Sequence, residues 1–304
     1  MRIGASLTSA YSGVDGRTGA RWMVERAAAA RAAGLDSLFV GDHHATGGAY
    51  YQNTVIMGRL LAEWGDRPAG CLFLLPLWNP VLLAEQVGTL ASIQEGRFIL
   101  QCALGAGRQQ FTAMGANIQT RPSAFEEALS MVRALLAGET VSGGKRFPDV
   151  RDASIDPRPA EPVEVWIGGS VEASIDRAAR LGDGWLAGPE LSADLAAKWV
   201  AHYRERCEVH DREPSAIAIR RDIFVAATDA EAEEKAGRLA AGYRGFPPDA
   251  LTWGSPDTVA EKFAALGELG YTDVIVRQMS VSQEDAVASY HRLGRVKSLI
   301  ESRP

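Results

Sequence analysis

The chain has 304 residues, 46% hydrophobic and 23% charged, which is enough apolar content to bury a large core and argues against disorder. A net charge of −6 leaves no basic surplus to neutralise phosphates, so nucleic acid is not expected as a partner. Three widely spaced cysteines, Cys71, Cys102 and Cys207, support neither a disulfide framework nor a thiolate metal site. The opening MRIGASL reads as a strand rather than a leader, and no apolar run of about 18 residues appears, so a cytoplasmic protein that does not span a membrane is expected.

Apolar strand candidates fall in chain order at 3–7, 37–40, 70–75, 98–103, 163–167, 184–187, 217–226 and 273–276. Most are too apolar for a half-exposed sheet, which predicts parallel strands covered on both faces. Helical segments lie between them. Asn79-Pro80 and Ser255-Pro256 are cap-plus-proline starts, and Ser123 with Glu126 and Thr228 with Glu231 read as capping boxes. Gly34, Gly182 and Gly270 each stand where a helix gives way to a strand, and each is expected to be left-handed there. Eight strands alternating with helices predict a (β/α)8 TIM barrel, a single domain over 1–304, with a doubly wound sheet as the alternative. The longest connection, 104–162, lies between strands four and five; it carries one helix, at 124–137, and reads as an extended insertion serving as a lid or an oligomer contact.

In a barrel the chemistry gathers at the carboxyl ends of the strands. After the second strand comes Asp42-His43-His44, where an imidazole beside a carboxylate suits proton movement near neutral pH. On an extended backbone His43 and His44 point to opposite sides, which assigns His43 to catalysis and His44 to structure if the strand continues that far. Leu104-Gly105-Ala106-Gly107 follows the fourth strand, where glycines allow either a flat ligand or a tight turn. Ile167-Gly168-Gly169-Ser170 ends the fifth strand and opens a helix near Val171 with Ser170 as cap, an arrangement suited to a phosphate. Arg277 ends the last strand, placed for a phosphate or carboxylate or for a neighbouring acid. Trp78, Trp166, Trp185 and Trp253 suggest an aromatic mouth or simple packing. His202, His210 and His291 read as solvated helix surface, and no metal-ligand spacing is present.

The run FLLPLWNPVLLAEQVGTLASIQEGRFILQCALGAG at 73–107 resembles the most distinctive segment of the bacterial luciferase-like superfamily, and PRPAEPVEVWIGGS at 157–170 and AARLGDGWLAG at 178–188 are similar to its phosphate-binding strand and the next one. The resemblance spans nearly the whole chain. It implies a barrel with an extended insertion, often dimeric, binding reduced FMN or the deazaflavin coenzyme F420. It further implies that Gly168, Gly169 and Ser170 hold the cofactor phosphate and that Gly105 and Gly107 lie near its ring. A bulge after the third strand, within 71–75 and including Leu72, Phe73 and Leu74, would back the ring, often through a non-prolyl cis peptide. Asp42-His43 aligns with the Asp-His pair of the deazaflavin dehydrogenases, making His43 the acid or base.

The chain departs from the commonest family form at Leu90-Ala91-Ser92-Ile93-Gln94-Glu95-Gly96-Arg97 and again at Arg108-Gln109-Gln110-Phe111. The second run is closer to the methylene-tetrahydromethanopterin reductase branch, which favours F420. The expected function is therefore hydride transfer between F420 and a small organic substrate. The alternatives are an FMN-dependent monooxygenase fed by a separate reductase partner and a non-catalytic flavin-binding protein. Apolar residues Val81, Leu82, Leu83 and Val87 on an outer helix add to the expectation of a homodimer.

Overall fold

The structure is a computed structural model that describes residues 1–279 and 281–303. Its strands are β1 Arg2–Leu7, β2 Ser37–Val40, β3 Ala69–Leu74, β4 Phe98–Ala103, β5 Glu164–Gly168, β6 Gly184–Ala187, β7 Ala216–Val225, β8 Leu251–Gly254 and β9 Asp273–Gln278. All eight expected strands are present within two residues of their predicted ends. They form one sheet in the order β6-β5-β4-β3-β2-β1-β9-β7-β8, and β6 also pairs with β7, so eight strands close into a (β/α)8 barrel. The residues explain this closure: β2 and most of β1, β3 and β4 are buried, as strands covered on both faces must be.

The ninth strand, β8, was not expected from its four residues LTWG. Strand β7 makes room for it: β6 pairs along Ala216–Ile219 and β8 along Asp222–Val225, so the ten-residue β7 outlasts β6 and offers its second half to another partner.

The helices are α1 Gly16–Ala32, α2 Asn53–Trp64, α3 Pro80–Ile93, α4 Arg108–Ala113, α5 Arg121–Leu136, α6 Glu172–Leu181, α7 Ala193–Val209, α8 Asp229–Ala232, α9 Arg238–Ala240, α10 Pro256–Leu269 and α11 Gln283–Glu301. Asn79 caps α3 by accepting from the amides of Val81 and Leu82, and Ser255 caps α10 through Thr258 N, each with proline in the first turn. Thr228 accepts from Glu231 N as expected. The box expected at Ser123 does not form: Pro122 lets α5 begin at Arg121, and the Ser123 hydroxyl instead donates to Thr120 O and accepts from Arg146 Nε. Gly34 and Gly270 are left-handed, but Gly182 has φ −88° and ends α6 in an extended conformation.

The chain divides into two compact units: Met1–Thr8 with Ala20–Phe39 and Trp166 onward, and Ser9–Gly19 with Val40–Val165. The second unit contains the insertion, where Glu127 on α5 accepts from the amides of Gly144, Arg146 and Phe147 and an isolated bridge joins Val141 to Ala153. Among the described residues no helix is long and apolar enough to cross a membrane. Cys71, Cys102 and Cys207 are free and buried.

Candidate active site

Strand β2 ends at Val40, so the alternation expected to separate His43 from His44 stops before it reaches them. Their surroundings separate them instead. In the Val40–Val165 unit Asp42 is buried, and its Oδ2 accepts from Leu74 N and from Trp78 Nε1, both at 2.8 Å. One carboxylate oxygen thus pins the end of β3, where Leu74 leaves the strand (φ −83°, ψ 77°), to the indole that follows the next turn. The other oxygen, Oδ1, lies 3.1 Å from His44 Nε2, but the two are not aligned for a hydrogen bond and neither atom has one with any described residue. His44 is buried edge-on against Trp78, with ring centroids 5.5 Å apart, and its amide donates to Gln110 Oε1. His43 is exposed beside Tyr50, its ring 5.8 Å away and its carbonyl accepting from Gln52 Nε2. The structure thus brings Asp42, His44, Leu74 and Trp78 into one cluster and leaves the His43 ring open to solvent.

Leu72 is half-buried, its carbonyl accepting from the buried Asn53 side chain, and Phe73 is buried edge-on against Trp78. The non-prolyl cis peptide expected here is not found: among the described residues the cis bond is Asp156-Pro157. Burial, and then the Asp42 charge, push the Cys71 thiol well above its usual range, so it is an inert core group. Gly105 has φ +72°, and a Cβ there would press on Leu74 and Phe111 at 3.3–3.4 Å; both the backbone and the packing therefore require glycine. Gly107, with φ +86°, is the N-cap residue of the short helix α4, and a Cβ there would meet only Gln110 Nε2 at 4.0 Å.

In the other unit, Gly168 ends β5 and Gly169 and Ser170 follow it, but Ser170 is not the cap of α6. The Ser174 hydroxyl accepts from Val171 N and donates to Val171 O, while Ser170 Oγ accepts from Gly188 N at 3.1 Å. Trp185 Nε1 donates to Gly169 O, and any Cβ at 169 would collide with the Ser174 hydroxyl, so this glycine is required at least for strand–helix packing.

The same unit holds a cluster that sequence reading missed. Asp222 on β7 is fully buried. Its Oδ1 accepts from Arg220 Nε and Nη2, and its Oδ2 from Arg244 Nη1 at 2.9 Å and Tyr243 Oη at 3.1 Å. Burial alone would raise this carboxyl, but the charges of Arg220, Arg277 and Arg244 outweigh it and hold it below the usual range. Arg277 stands opposite Asp222 in the β7–β9 register and gives only Nε to Thr8 Oγ1, at 3.4 Å. Three guanidinium groups around one carboxylate leave a surplus of two positive charges. Arg220-Arg221-Asp222 inside an apolar strand was the available signal. Tyr243 and Arg244, in the loop before β8, carried none.

Of the tryptophans, Trp166 and Trp185 are buried core, and Trp78 alone among the four touches the Asp42 cluster. His291 is exposed as expected, whereas His210 shares Asp176 with Arg206 and His202 packs on Trp199.

The family model described as luciferase-like monooxygenase matches residues 1–251. The chain belongs to this family. An F420-dependent glucose-6-phosphate dehydrogenase of Intrasporangium calvum is 30% identical over 197 residues, 58% of this chain and 57% of that protein. The chain covers 39% to 65% of the length of curated relatives that it matches. Among solved structures, the oxygenating constituent of 3,6-diketocamphane monooxygenase from Pseudomonas putida, in complex with FMN, superposes with TM-score 0.83 at 20% identity over 99% of this chain and 97% of that one. An F420-dependent secondary alcohol dehydrogenase superposes with TM-score 0.80 at 16% identity over 98% of each chain. These two likenesses show the barrel.

Proposed function

We propose that the protein is an oxidoreductase that transfers hydride between the deazaflavin coenzyme F420 and a small organic substrate. The observation that carries this reading is the match, at about 30% identity, to curated dehydrogenases named for F420. One feature of the unit that holds β7 supports the reading: the guanidinium surplus around Asp222 suits the phosphate that F420 and FMN both carry. Within the Val40–Val165 unit, Asp42, Leu72, Phe73, Leu74, Gly105 and Gly107 are the proposed ring contacts; within the other unit, Gly168, Gly169, Ser170 and Arg277 are the proposed contacts of an anionic group. The cofactor supplies a carbon that accepts or gives hydride, and the chain supplies position and proton control. His43, whose ring is open, is the acid or base that balances the proton on the substrate oxygen. Asp42, fixed by Leu74 N and Trp78, shapes the turn after β3.

The second reading is an FMN-dependent monooxygenase served by a separate reductase, supported by the likeness to the FMN-bound enzyme. Titrating purified protein with each cofactor and following fluorescence is expected to give tight, saturable F420 binding and weak FMN binding. Tight FMN binding with no F420 binding would replace the first reading with the second.

We also propose a homodimer. Leu83 and Val87 are buried under α3 and offer nothing to a partner, but Val55 on α2 with Leu82 and Ile93 on α3 are exposed around an apolar groove of about 350 Å³. Light scattering at micromolar concentration is expected to give twice the 32.6 kDa chain mass, and a mass near 32.6 kDa would exclude the dimer.

A further inference from the structure

Strand alternation sends Arg220 and Asp222 to one face of β7 and Arg221 to the other. There Arg221 is 2% exposed and makes no hydrogen bond or ion pair with any described residue, and its Nη1 is sealed from solvent. A buried guanidinium is ordinarily paired, because an uncompensated cation in a poorly solvated place is costly. The acids around it are engaged or distant. Asp249 Oδ2 accepts from Ala193 N, the Tyr271 hydroxyl donates to Ala196 O, and Glu190 lies beyond ion-pair distance. Asp222, across the strand, is already outnumbered by cations on its own face. Burial lowers the Arg221 pKa, as expected of a cation without a partner.

Buried as it is, Arg221 borders a pocket of about 280 Å³ between β8 and α10, whose walls include Trp253, Leu266 and Leu269 together with Asp249 and Lys262. Lys262 Nζ donates to Trp253 O at 3.0 Å and stands 5.2 Å from the centre of that indole ring. The charged residues that line the pocket are two cations, Arg221 and Lys262, and one anion, Asp249. Lys262 is faced from outside the lining by Asp229 and Glu233, and Glu233 also accepts from Trp253 Nε1. With these acids nearby a dianion is disfavoured, whereas a single carboxylate matches both the charge and the fork of the Arg221 guanidinium.

We propose that this pocket is a second binding site, distinct from the Asp42 and Asp222 clusters, for a small organic monocarboxylate whose apolar body packs on Trp253 and Leu266 and whose carboxylate pairs with Arg221. The volume limits the ligand to a body of about one ring or a short chain, at the lower end of known small-molecule pockets.

The test is thermal unfolding of the full chain with sodium benzoate, phenylacetate and hexanoate, with benzyl alcohol as the uncharged control and sodium chloride matching ionic strength. At about ten times its Kd at least one carboxylate is expected to raise Tm by roughly 2 °C, while benzyl alcohol does not. Arg221→Met is expected to abolish that shift while melting no lower than wild type, since the unpaired cation is gone. Ala265→Trp, an exposed position of α10 on the pocket wall, is expected to abolish the shift by filling the space with Arg221 intact. If none of the three acids shifts Tm, if benzyl alcohol shifts it equally, or if the shift survives Ala265→Trp, the site is not a carboxylate pocket. Because Ala265→Trp leaves β7 untouched, the proposal stays testable even if Arg221→Met fails to fold.

Discussion

Asp222→Asn is expected to destabilise the protein by about 3–5 kcal/mol at pH 7, the range for removing one partner from a buried ion pair. The substitution keeps the shape and one acceptor oxygen but removes the carboxylate that pairs with Arg220 and Arg244 and faces Arg277 on this side of β7. Its parts are unequal. Arg244 has a side chain 41% exposed, so its pairing is screened and contributes under about 1 kcal/mol, whereas the Arg220 side chain is 19% exposed and, even where the amide oxygen still accepts its hydrogen bonds, loses the negative charge that compensates it. Most of the loss therefore comes from Arg220. The pH dependence has a definite sign. The folded-state carboxyl is held below its usual range, so its contribution is present above the unfolded value, about 3.9, and fades as pH falls through the lower folded value. Urea unfolding is expected to show the full difference between wild type and Asp222→Asn at pH 7 and a smaller difference below about pH 4. A difference under about 1 kcal/mol at pH 7 that does not change with acid would mean that water, not Asp222, neutralises these arginines.

The barrel was legible because buried parallel strands and cap-plus-proline starts are local features. FILQCA and SLFV cannot be half-exposed, and Asn79-Pro80 can do little except begin a helix. What escaped depends on where a strand ends and what returns to it. LTWG became a strand because β7 is longer than β6, a fact about partners rather than about those four residues. The Asp42 cluster was half legible. The carboxylate and its neighbours were visible in sequence, but its bonds to Leu74 N and Trp78 join residues more than thirty positions apart. Ser170 is not the cap because Ser174, in the first turn of α6, serves the Val171 amide, while the Ser170 hydroxyl, two residues past β5, is taken by Gly188 N. The arginines of β7 were passed over because a charged residue within an apolar strand looks like solvated edge until its counter-ion is placed. Asp222 supplies that counter-ion for Arg220, while among the described residues Arg221 makes no ion pair and is faced by acids only at longer range.

The second large effect concerns the two histidines after β2, which the structure places in opposite circumstances. An acid or base must reach the reacting atom, and the exposed His43 ring can do so, whereas His44 is closed in by Asp42 and Trp78. His43→Ala is expected to lower turnover with the cognate substrate by about a hundredfold to ten-thousandfold, the usual contribution of a positioned proton-transfer group, with cofactor affinity and Tm nearly unchanged. His44→Ala acts on the cluster instead. It removes the ring that packs on Trp78 and opens a cavity beside Asp42, whose two bonds hold the turn after β3. Its expected signature is a lower Tm and weaker cofactor binding, with turnover at saturating cofactor reduced far less than by His43→Ala. A pH profile separates the roles further, because loss of the proton-handling group should remove one limb of the kcat profile while loss of a packing residue should leave both limbs in place. If His44→Ala removes that limb and His43→Ala stays within a fewfold of wild type, the buried imidazole beside Asp42 is the proton carrier and the exposed one belongs to the pocket wall.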